Sequence, residues 1–260
     1  MGDEFPRTGG RLRRRIALHT QADGAVVAWV EDDFHHFGLT LEHDGGTVTN
    51  IASMAARAPW STCPLASEPL RALIGKQMSQ RASDIGTLID MRMQCTHLFD
   101  LAGLAMAHAC ARRDRRDYEM LVPDRACIGQ VGRERQYERA IATLSRDGQP
   151  MLAIDFADPM ILGPDAYAGR SFNAGFRAWI ETLPLEEAEM LFVLRRAIMV
   201  AGGRMTDLDR FDHADDIGMP QVCYTMLPAN RFTATRNKGT MRNYADSGEA
   251  MLGCKDIRPQ

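Results

Sequence analysis

Lysine is scarce in this chain. Of 31 basic residues only three are lysines (Lys76, Lys238, Lys255), and arginine supplies the rest. Schiff-base chemistry needs a lysine that can lose its proton. Three lysines in polar surroundings argue against an aldolase or a pyridoxal enzyme, and a GC-rich coding bias accounts for most of the arginine excess. Long apolar runs are missing as well. The longest lies near Leu101–Ala111 and is interrupted by His108, far short of the roughly 20 residues that span a bilayer. The charged opening MGDEFPRTGGRLRRR is followed by no apolar segment, so a secretory signal is not expected.

The six cysteines (Cys63, Cys95, Cys110, Cys127, Cys223, Cys254) contain no CxxC pair. That excludes a zinc ribbon or a thioredoxin-type motif. They are expected to be reduced thiols of a cytoplasmic protein. There is no Gly-rich phosphate loop, no regular βαβ alternation and no repeat. A formal charge of −3 argues against a general nucleic-acid binder. The expected partner is a small molecule, with no nucleic acid, no membrane and no bound cofactor or metal; a homo-oligomer is left open.

What is present is ordinary globular composition, 45% hydrophobic and 25% charged, in a chain long enough to bury a core without staples. Residues 12–56 read as an antiparallel meander of four β-prone runs, with hairpin signals at Asp23-Gly24 and Asp44-Gly45-Gly46. Short helical patterns follow at 68–76 and 83–91, then a longer one at 96–112 with Thr96 as N-cap. A second β-rich block covers about 117–162, with a hairpin at Arg146-Asp147-Gly148. Helices are expected at 172–182 and 184–201, the second opened by Pro184 and two acids that suit the helix dipole. Residues 203–260 read as loop and short strand, loosely ordered after about 248. The order predicts an α+β fold of antiparallel meanders (about 12–56 and 117–162) packed with helices, as a single domain over 1–260.

Four constellations could carry chemistry. In Asp32-Asp33-Phe34-His35-His36-Phe37, strand alternation puts His35 on the core face with Phe37, Leu39 and Leu41. His36 falls on the other, wet face. Asp33, two residues earlier, is placed to orient His35; a satisfied core histidine is an equal reading. In Cys95-Thr96-His97-Leu98-Phe99-Asp100, His97 sits at a helix mouth, where the helix amides keep an imidazole neutral and competent as a base. The apolar stripe His97, Leu101, Leu104, His108 is expected to face the core, with His108 a plain core residue. In the 218–225 segment, Tyr224 could donate a phenolic proton and Met219 line an apolar pocket. Arg170, ahead of a helix, could grip a carboxylate or phenolate, although a surface ion pair is slightly favoured. The run Arg11, Arg13, Arg14, Arg15 reads as the exposed face and edge of the first strand. His35, Cys95 and His97 are acceptable zinc ligands, but no paired metal-ligand spacing supports them.

Six phrases occur in order along residues 11–245: EDDFHHF (31–37), PWSTCP (59–64), QCTHLFDLA (94–102), AGRSF (168–172), LRRA (194–197) and GMPQVCYT (218–225). Together they resemble a bacterial family known as domain of unknown function 2889. The set is also similar to a phenylcoumaran γ-formaldehyde lyase of lignin-dimer catabolism. That resemblance implies a cofactor-independent lyase that opens a cyclic aryl ether, expels formaldehyde and leaves a stilbene. The roles placed on it are His97 and His35 for acid–base work, Tyr224 as donor to the ether oxygen and Asp100 orienting a histidine. Trp60, Phe99, Arg170 and Met219 would bind an aromatic substrate. The competing readings are a metal-assisted hydrolase and a non-catalytic binding protein for small molecules.

Overall fold

A computed structural model describes residues 9–131 and 134–260. Its centre is an eight-stranded antiparallel sheet. The first meander comprises β1 (Arg11–Thr20), β2 (Val26–Glu31), β3 (His36–His43) and β4 (Val48–Arg57). The second comprises β5 (Arg115–Pro123), β8 (Ala140–Arg146), β9 (Gln149–Ala157) and β10 (Met160–Gly163). A small separate hairpin of β6 (Cys127–Val131) and β7 (Glu134–Tyr137) lies between β5 and β8 in sequence. The two meanders share one sheet because β1 pairs with β5 from Arg11↔Pro123 to His19↔Arg115, giving the order β10-β9-β8-β5-β1-β2-β3-β4. This is the expected α+β class. The β8–β9 turn follows its sequence signal, since Asp147 and Gly148 both take positive φ (52° and 78°), as a tight hairpin requires.

The predicted helices at 68–76 and 83–91 are shorter and broken. They appear as 3-10 turns around α1 (Ser67–Leu70) and α2 (Ile85–Leu88). Next come α3 (Thr96–Cys110), α4 (Phe176–Ile180) and α5 (Leu185–Ala201). Cys95, not Thr96, is the N-cap of α3. Every α3 residue from Thr96 to His108 is buried, so no single stripe faces the core. The helix is enclosed on all sides, as its Ala- and Leu-rich sequence allows. α3 lies against β2 and β3, and α5 against β5, β1 and β8. Both helices join Leu12, Ile16, Leu18, Val30, Phe37, Leu39, Tyr118 and Phe156 in one apolar core.

Strand alternation also places Arg14 on that core face, between Leu12 and Ile16. It is 1% exposed. The expected exposed basic edge is therefore wrong at this position: β1 is a central strand, and one of its arginines points inward.

The back of the sheet differs from expectation too. The face carrying His36, Gly38 and Thr40 was expected to be wet, and the chain after 248 to be loose. Instead the C-terminal segment lies across that face. Met251 and Leu252 are buried beside Ala17, Val27 and Trp29. Trp29 Nε1 donates to the Ile257 carbonyl at 2.9 Å, and Thr40 Oγ1 donates to the Pro259 carbonyl at 2.7 Å. The Trp29 ring lies flat over Gly38, its partner across the strands, where a Cβ would come within 2.5 Å of a ring carbon.

Candidate functional site

The turn between β2 and β3 builds the site. Asp32 N donates to the His35 carbonyl at 2.9 Å, closing the turn, and Asp32 Oδ1 accepts from the backbone N–H groups of Phe34 and His35, both at 2.9 Å. This is the local side-chain-to-backbone bonding that makes aspartate a turn former. Three arginines lock the turn from outside. Arg14 NH1 donates to Asp32 Oδ2. Arg57 donates to the carbonyls of Asp32 (2.6 Å) and Asp33 (2.9 Å). Arg204 donates to Asp33 Oδ2 and, at 2.5 Å, to Asp124 Oδ1.

His35 Nδ1 lies 2.9 Å from Asp32 Oδ1. An ionised carboxylate accepts only, so Nδ1 carries the proton and Nε2 keeps the lone pair. Burial by itself would raise the Asp32 carboxyl. His35 and Arg14 outweigh it and hold Asp32 well below the usual carboxylate range. Burial also lowers His35, against the pull of Asp32.

The first turn of α3 brings His97 onto this imidazole. The two rings stack with centroids 3.8 Å apart and an angle of 29°, and Phe37 stacks on His97 at 5.7 Å. Burial, and after it His35 and Arg14, push His97 well below the ordinary histidine value. Two imidazolium rings at this separation repel, so the pair holds one proton at most. His97 Nε2 is buried and unpartnered.

The pair opens into a cavity of about 260 Å³, just below the roughly 300–1,000 Å³ usual for small-molecule sites. Its walls are largely apolar and include Phe34, Trp60, Met199, Met219 and Val222. The 218–225 segment forms one wall. Tyr224 N donates to the Gln94 carbonyl at 2.8 Å beside the mouth of α3, and Thr225 and Thr62 hydroxyls meet at 3.0 Å. Arg236 donates to the Pro59 carbonyl at 2.6 Å and covers the Trp60 ring. Three thiols face the same space. Burial pushes Cys63 up to about 11 and Cys95 up to about 12, and raises Cys223, so these are protonated, inert cysteines.

Of the residues singled out from sequence, His35, His97, Tyr224, Trp60 and Met219 line this cavity together. The other three are elsewhere. Asp100 orients no histidine; it is engaged by Arg196, whose Nε donates to Asp100 Oδ2 at 2.6 Å. Phe99 faces a second cavity. Arg170 lies over the Trp179 ring at 5.8 Å, outside the linings of both cavities. Asp33 does not orient His35, being held by Arg204 and the Tyr244 amide; Asp32 has that part. Sequence reasoning missed Asp32, Arg14 and Arg196. The Leu12-x-Arg14-x-Ile16 alternation was a signal for Arg14, and the Asp32-x-x-His35 turn spacing was one for Asp32.

Asp32, His35 and His97 offer ligand atoms within 4.8 Å of one another. The donor set fits a cation poorly. Asp32 Oδ1 already accepts three N–H groups and Oδ2 accepts Arg14, so a metal would have to displace them and share the space with a buried guanidinium.

These features define an α+β protein with a buried Arg–Asp–His–His centre beneath an apolar cavity. The family model described as "Protein of unknown function (DUF2889)" matches residues 11–111. The resemblance is thus borne out over β1 to α3, which contains the first three of the six phrases. Among curated proteins none matches the chain.

Proposed function

We propose that this cavity is the active centre of a lyase for aromatic, lignin-type dimers, opening a cyclic aryl ether with release of formaldehyde. One observation carries the reading: two stacked imidazoles, both pushed toward the neutral form by burial and one oriented by an ionised aspartate, line an apolar cavity together with Tyr224. In the proposed reaction a base removes the proton of the para-phenol. Electrons move to the benzylic carbon and the aryl ether C–O bond breaks, giving a quinone methide and a phenoxide. Tyr224 protonates the phenoxide. A base then takes the proton of the primary alcohol, the C–C bond to that carbon breaks, and formaldehyde leaves. The bond electrons form the stilbene double bond and restore the first phenolate, which regains its proton from the first base, while the alcohol proton returns to Tyr224. Product and formaldehyde together equal the substrate.

His35 suits the first base, because Asp32 fixes its Nδ1–H and stabilises the imidazolium that forms. His97, kept neutral beside it, suits the alcohol proton. No nucleotide, flavin or lysine adduct enters. A cytoplasmic setting agrees with free thiols at Cys63, Cys95 and Cys223. Among the described residues no helix is long and apolar enough to cross a membrane.

The test is to incubate chelator-treated protein with a phenylcoumaran dimer and follow stilbene absorbance and free formaldehyde. Equal amounts of both support the lyase. Binding of the dimer with neither product supports a non-catalytic binding protein, and activity restored only by added zinc supports a metal-assisted reaction.

A further inference from the structure

A second cavity of about 280 Å³ lies beside the first, and Arg196 borders both. Its character is different. Phe99, Phe176, Ile180 and Phe192 give it an apolar, aromatic floor, while Arg92, Arg177, Arg195 and Arg196 supply four cations against the carboxylates of Asp90 and Asp100. Asp100 is already engaged by Arg196, which leaves the remaining guanidinium charge in excess over Asp90.

Two details show that the space is shaped for a polar guest. Arg177 folds inward over Gly86, where a Cβ would come within 2.6 Å of its NH1. Glycine at that position leaves room for the guanidinium, and Glu181 takes only the Arg177 Nε, at 2.7 Å. Arg195 is fixed by its Nε bond to the Phe172 carbonyl and stands 5.1 Å above the Phe176 ring. In addition, Ser83 is 6% exposed and its hydroxyl has no partner. A buried hydroxyl left unmatched is costly and marks a place where a ligand atom or water completes the bonding.

We propose that this second cavity is a binding site for a small aromatic monocarboxylate. The ring covers the phenylalanine floor, the carboxylate takes the outward guanidinium nitrogens of Arg177 and Arg195, and the Ser83 hydroxyl supplies a neutral bond. Arginine suits this role because its planar fork matches a carboxylate and also tolerates an aromatic neighbour. A compact anion such as phosphate leaves the floor uncovered, and a neutral amide leaves the cations unanswered. The site stands independently of the lyase reading.

Benzoate is the probe, titrated into the full-length protein by calorimetry and ligand-observed NMR. Benzoate is expected to bind, with benzamide and inorganic phosphate weaker. Arg177→Gln should weaken binding about tenfold or more, as loss of a charge-assisted bond does, with Arg177→Lys between. His97→Gln, which alters only the first cavity, should leave binding unchanged. Thermal melting establishes that each variant is folded; if Arg177→Gln is not, Arg92→Gln on the exposed rim replaces it with the same expected direction. The proposal is overturned if benzoate does not bind, if benzamide or phosphate binds equally well, or if His97→Gln abolishes binding while the arginine variant retains it.

Discussion

Asp32 receives the Nδ1 proton of His35 on one oxygen, at 2.9 Å, and Arg14 on the other. Neither Arg14 nor Asp32 is more than 1% exposed. The histidine's orientation therefore depends on an ion pair sealed inside the core. Removing one member of such a pair leaves the other charge buried and uncompensated. Arg14→Met should destabilise the fold by about 3–5 kcal/mol, read by urea denaturation. Arg139→Met, which breaks an exposed pair with Asp155, should change little. Equal effects of the two would show that the buried pair has no special weight.

Replacement of either stacked histidine should spare the fold and damage the reaction. His35→Gln and His97→Gln are each expected to lower turnover of a phenylcoumaran dimer by about 10²–10⁴-fold. A folded variant with wild-type stilbene formation would remove that residue from the mechanism.

His108 gives a stability signal in acid that is separate from the site. Burial, and after it Arg113 and Arg116, pull its pKa down to about 4. The unfolded chain takes up this proton near the ordinary value of 6.5, while the folded chain does not until about 4. Stability from this group is thus complete above about pH 6.5, is lost as pH falls toward 4, and levels off below. Across that window one proton corresponds to about 1.4 kcal/mol per pH unit. Denaturation midpoints measured from pH 7 to 4 should fall less steeply in His108→Gln than in the wild type.

Gly38 lets Trp29 lie flat against β3. Adding a single methyl there places it within 2.5 Å of the indole. Gly38→Ala should cost about 1–3 kcal/mol through overpacking and alter the tryptophan fluorescence. An unchanged melting curve and spectrum would mean that the ring has room to move.

The sheet was readable because strand period and hairpin residues are local signals. The Asp147-Gly148 turn and the four runs of the first meander follow from neighbours in sequence. The same alternation put His35 on the inner side with Phe37 and Leu39. Meetings between distant segments were not readable. Nothing near His97 shows that its ring will rest on His35, and nothing near Asp100 shows that Arg196 will claim it. Arg14 was misread for a different reason. Three neighbouring arginines do face outward or sideways, and a fourth in the run looks the same until the strand is known to be central. The 248–260 segment misled because its composition is that of a loop, while its anchoring comes from Trp29, Thr40 and Glu31 on strands far away.

The strap across the back of the sheet also bears on how the molecule is made. β2 and β3 leave the ribosome long before residues 251–260 are joined to the chain. Until then the indole of Trp29 and the surface around Thr40 have no cover. During synthesis this face of the sheet stays uncovered until the distant 251–260 segment is made and closes it.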